Sequence, residues 1–105
     1  MGSEREPKEK VEIAHVLSID VVGYSLLLIT QQTRLMNELA SIPKNTEQFR
    51  HADARGKLVR IPMDDGMSLV FFYDPQAPIE CATEIASALK TQPDIRLRMG
   101  IIAGR

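Results

Sequence analysis

The chain has no tryptophan and a single cysteine, Cys81. One cysteine excludes an internal disulfide and any multi-cysteine metal site. On the apolar side of a predicted helix, Cys81 reads as buried filler, not as a reactive thiol. Aromatic residues make up 5% of the sequence, and core packing is the first reading of Phe71 and Tyr73 beside Leu69. Neither sign of charge dominates: 13 Lys and Arg stand against 14 Asp and Glu, a net charge of -1. That interspersed balance excludes the basic stripe of a nucleic-acid surface. No apolar run is long enough to span a bilayer; the greasiest, Leu26-Leu27-Leu28-Ile29, is closed by Gln31 and Gln32. Residues 1–10, including Ser3-Glu4-Arg5-Glu6, lack the apolar core of a signal peptide. They read as a disordered leader or linker, which makes the cytoplasm the default. What is present, 44% apolar and 26% charged in 105 residues, suits one small globular domain over residues 11–105.

Glycine and proline are sparse, six of each, and act as punctuation. Residues 11–20 form a first strand, apolar on both faces and hence central, which Gly23 breaks. In the helical region that follows, Leu35, Leu39, Ile42, Thr46 and Phe49 recur at helical spacing. Pro43 falls inside that stripe and predicts a bend or a new helix nearby, and Gly56 a stop. Leu58-Val59-Arg60-Ile61 and the run Met67–Tyr73 flank an Asp65-Gly66 hairpin signal. Asp74 and Pro75 open a second helix whose inner face is read as Ile79, Ala82, Ile85, Ala86 and Leu89, with Pro93 ending it. A last strand runs from Ile95 to Ile102.

The order β-α-β-β-α-β predicts an α+β, ferredoxin-like sandwich: an antiparallel sheet in the order 4-1-3-2 with helices on one face. In that topology Asp20, closing the first strand, and Asp65, preceding the third, arrive at one sheet edge. Two close carboxylates repel unless a cation lies between them, and an oxygen-only pair fits Mg²⁺ or Mn²⁺. The turn after Asp20 would present the backbone N–H groups of Val22, Gly23, Tyr24 and Ser25 as a phosphate cradle. Taken singly, each acid has a plainer reading: Asp20 as a helix cap, Asp65 with Gly66 as a turn, Asp64 as solvated. His15 reads as a hydrogen-bonded core histidine, and Arg96 and Arg98 as an exposed strand face.

The run His15-Val16-Leu17-Ser18-Ile19-Asp20-Val21-Val22-Gly23-Tyr24-Ser25 resembles the opening motif of class III adenylate/guanylate cyclase catalytic domains. Asp65-Gly66-Met67-Ser68-Leu69-Val70-Phe71-Phe72 and Leu97-Arg98-Met99-Gly100-Ile101 follow in the family's order. The resemblance implies two metal ions held by Asp20, Asp65 and the Val21 backbone carbonyl. It implies ATP or GTP as substrate, a 3′,5′-cyclic nucleotide and pyrophosphate as products, and a dimer that shares its sites. The sequence departs from the family at Asp64, where glycine is usual, at Ile61, where a base-reading residue stands, and at Ile102-Ala103. The family's later strands, with its transition-state arginine and asparagine, have no counterpart before Arg105. The expectation is therefore a partial cyclase domain with no catalytic residue beyond its metal ligands and no cyclic product when alone. It would pair as a homodimer or as a heterodimer with a complete cyclase domain. The alternative is a non-catalytic dimerisation or protein-interaction module on the same scaffold.

Overall fold

The computed structural model describes residues 13–72 and 74–103. The elements run β1 (Ala14–Val21), α1 (Ile29–Lys44), α2 (Glu47–Ala54), β2 (Leu58–Met63), β3 (Gly66–Phe72), α3 (Gln76–Ala88) and β4 (Leu97–Ala103). The expected leader at residues 1–10, the first two residues of the expected first strand, Tyr73, Gly104 and Arg105 lie outside the described residues.

The four strands form one open antiparallel sheet in the order β2-β3-β1-β4, the neighbours expected from the element order. β1 is central, but only one of its faces is covered. Leu17, Ile19 and Val21 are buried while Val16, Ser18 and Asp20 between them are half-buried, the alternation of a sheet with helices on one side. The core lies between that face and the helices. Leu17, Ile19, Leu69 and Phe71 meet Leu39, Cys81 and Ile85 there, all essentially without exposure.

The stripe predicted across Pro43 is buried throughout: Leu35, Leu39, Ile42, Thr46 and Phe49. Of the two expectations at Pro43, the new helix nearby is what forms: α2 begins at Glu47, with no mid-helix bend. Pro43 itself occupies the last turn of α1, where a helix about to end loses little from a missing N–H. Thr46 then restarts the chain, its hydroxyl accepting from the Phe49 N–H at 3.2 Å and donating to the Pro43 carbonyl at 2.7 Å. Gly56 ends α2 with φ 67°. Its N–H donates to the Asp53 carbonyl and the Lys57 N–H to that of Ala52, the paired bonds of a glycine-terminated helix.

On α3 the expected inner face needs correction. Asp74 does open the helix, its Oδ1 accepting from the Gln76 N–H at 2.9 Å. The buried positions are Ala77, Pro78, Cys81 and Ile85, whereas Ile79 and Ala86 are exposed. Ala77, Cys81 and Ile85 stand four residues apart and share a face; Ile79, two residues from either neighbour, points elsewhere. β4 starts at Leu97, two residues later than expected, although Ile95 is already buried.

Candidate functional site

The hairpin between β2 and β3 brings the two expected aspartates to the same end of the sheet. Its turn residues are Asp64 and Asp65, with Met63 paired to Gly66. The expected Asp65-Gly66 tip is therefore displaced by one: Gly66 is the first residue of β3 and stands opposite Asp20 across the ladder. Glycine is required there by a close approach. A Cβ at 66 would run into the Ile19 carbonyl oxygen and lie 2.7 Å from the Asp20 Cα. The Val21 N–H donates to the Asp65 carbonyl at 2.9 Å, which fixes the turn against the end of β1.

Beyond Val21 the chain crosses to β4, the Val22 N–H donating to the Arg96 carbonyl at 2.9 Å. This corrects the expected phosphate cradle, because Val22 has given its only donor to the sheet. Gly23 is left-handed (φ 70°, ψ 22°) and caps a single 3₁₀ turn over Tyr24–Leu26. The N–H groups of Gly23, Tyr24 and Ser25 find no partner among the described residues. The Gln32 side-chain amide donates to the Tyr24 carbonyl at 2.9 Å and ties this turn to the first turn of α1. Leu26, 88% exposed, and Leu28 and Ile29, also exposed, form an apolar rim beside it.

Asp20 is not a helix cap, for no side chain caps the turn that follows. Its carboxylate faces Arg98, its partner on the neighbouring strand. Arg98 Nη2 donates to Oδ2 at 3.3 Å, and Nε lies 3.2 Å from Oδ1. The Nε–H is not aimed at Oδ1, which is buried and without a hydrogen bond among the described residues. Asp65, by contrast, is exposed in its turn. No group of three or more His, Cys, Asp or Glu converges among the described residues.

No protein-family model and no curated protein matches the chain. Clefts of about 640 and 650 Å³ open elsewhere, one lined by Lys44, Arg50, Asp53 and Arg60 and the other by Glu47, His51, Asp74 and Glu80. Neither is lined by Asp20 or Asp65. His15 is half-buried on the core face, and its side chain makes no hydrogen bond with the described residues. Ile61, exposed on β2, shares the open face with Asp20 and stands two residues before Met63. Sequence reasoning missed Arg98 as a partner of Asp20. The strand order already made β4 a neighbour of β1, but the register that sets Arg98 opposite Asp20 leaves no mark in the sequence.

Cys81 is completely buried. Burial pushes its thiol pKa up, and the nearby Glu84 carboxylate adds to that, against the opposing influence of Thr46. This is an inert packing group, as expected. Among the described residues no helix is long and apolar enough to cross a membrane.

Proposed function

We propose that this domain is a ferredoxin-like, partial class III nucleotide cyclase domain, active in the cytoplasm in cyclic-nucleotide signalling, that keeps the metal and triphosphate half of the site. The observation that carries the reading is the Asp20 carboxylate: it lies beside the Asp65 turn at one sheet end, and its buried Oδ1, though 3.2 Å from Arg98 Nε, accepts no hydrogen bond among the described residues. A carboxylate whose one counter-cation among the described residues is the exposed Arg98, with Oδ1 left without an aligned hydrogen bond, fits a divalent cation in exchange for that arginine better than it fits a cap or a turn. Asp20, Asp65 and the Val21 carbonyl would hold Mg²⁺ or Mn²⁺, two ions in the family this chain resembles. The free N–H groups of Gly23, Tyr24 and Ser25 would bind phosphate oxygens of ATP or GTP. Bound ions of this kind lower the pKa of an attacking ribose hydroxyl and offset charge on departing pyrophosphate. The protein's own part is to set Asp20 on a strand end and to keep Gly66 small enough for the Asp65 turn to approach.

The test is a Mn²⁺ titration in the presence of a nonhydrolysable nucleotide. Asp20→Asn should weaken binding at least tenfold. Equal affinity in both proteins would remove this reading.

A second reading, a dimerisation or interaction module, is favoured by the uncovered sheet face. Val59, Ile61, Met63 and Ile102 are all exposed on it, Ile102 by 62%. Patches of this kind mark partner sites, and the partner would be a second copy or a complete cyclase domain. Sedimentation across a concentration series should show self-association; a monomer throughout would leave the homodimer without support.

A further inference from the structure

We propose that Arg98 is a built-in counter-cation that competes with metal for the Asp20 carboxylate, and so sets the affinity and access of this site. The inference rests on the metal reading above and adds a regulating residue to it. The Asp20 side chain is 27% exposed and that of Arg98 74%, so the guanidinium lies on the solvent side of the acid it contacts. Its grip is incomplete: one hydrogen bond at 3.3 Å to Oδ2, and none to the buried Oδ1. A fork aligned for two bonds would satisfy both oxygens. This one screens the charge while leaving an acceptor unfilled, an arrangement easily displaced by a harder cation.

Both cations cannot sit on the same carboxylate without repulsion, so ion binding and the Arg98 contact oppose each other. Linkage makes the effect reciprocal: if Arg98 weakens metal binding, metal must release Arg98 by the same factor.

The experiment is Mn²⁺ affinity, measured by electron paramagnetic resonance without nucleotide, in wild type, Arg98→Met, Arg98→Lys and Arg96→Met. Arg98→Met keeps the unbranched stem on an exposed strand position and should bind roughly five- to tenfold tighter, the size expected for losing a part-exposed ion pair and its repulsion. Arg98→Lys should stay within about twofold of wild type, because the charge remains. Arg96→Met, which removes the same net charge nearby, should also stay close to wild type. A second readout follows the Arg98 Nε–H resonance on adding Mg²⁺; it should move toward the position of a free arginine. Metal binding that needs Asp20 but is indifferent to Arg98, or an unmoved Nε–H resonance at saturation, overturns this proposal and leaves the metal reading intact. Absence of binding in every variant, Arg98→Met included, overturns both.

Discussion

The two faces of the sheet carry similar residues to different ends. On the covered face Leu17, Ile19, Leu69 and Phe71 are sealed against three helices. On the open face, one residue along the same strands, Val16, Val70 and Phe72 are only half-buried, while Val59, Ile61, Met63 and Ile102 remain exposed. Apolar residues are thus common to both faces, but the open face lacks cover and also carries Ser18, Asp20, Ser68 and Arg98. The covered face stabilises the domain. The open face ends at the Asp20 and Asp65 locus, where contact with something else has most to offer.

The sharpest way to break this comparison is to truncate paired positions on the two faces. Leu69→Ala should cost about 2–5 kcal/mol in urea unfolding, since a buried leucine loses its transfer energy and leaves a cavity. Ile61→Ala, on the open face of the neighbouring strand, should cost about 1 kcal/mol or less. It should also reduce any self-association seen in sedimentation. Equal costs would mean that the open face is covered in solution.

Next in size is the join between α1 and α2, which supplies much of the cover. Thr46→Ala removes the hydroxyl that caps α2 and should cost about 1 kcal/mol, read from the same unfolding curves. Thr46→Ser should recover most of it, because the hydroxyl returns. A null result for Thr46→Ala would show that α2 is held by packing alone.

The smallest effect sharpens the comparison by pH. The Cys81 thiol is held neutral by burial, so its folded pKa lies above the unfolded one. Between those values the unfolded chain has already lost the proton that the folded chain keeps, so stability falls as pH rises from about 8.5. Below that range the contribution is fully present. Cys81→Ala should flatten this alkaline slope while lowering stability at neutral pH, as unfolding measured at a series of pH values would show.

Much of this architecture was legible in the chain. The stripe from Leu35 to Phe49 kept its phase across Pro43 because the break fell in a terminal turn and Thr46 stayed in line. The strand order followed from the sequence of elements, and it placed Asp20 and Asp65 at one sheet end. What was not legible depended on register and on the angle at which an element starts. Sequence spacing does not say that Asp20 faces Gly66 on one side and Arg98 on the other, since a ladder shifted by two residues preserves the same pattern. Nor could it say that Val22 would give its N–H to Arg96. On α3, the start at Asp74 and Pro75 turned the inner face toward Ala77, Cys81 and Ile85, and the exposed Ile79 had looked equally suitable.

Pro62 lies in β2, the edge strand that also displays Val59, Ile61 and Met63. An edge of this composition invites another chain to add itself strand by strand and to polymerise without limit. A proline interrupts the outer row of donors that such growth needs. Growth by strand addition along this edge is therefore interrupted at Pro62, whatever else the open face meets.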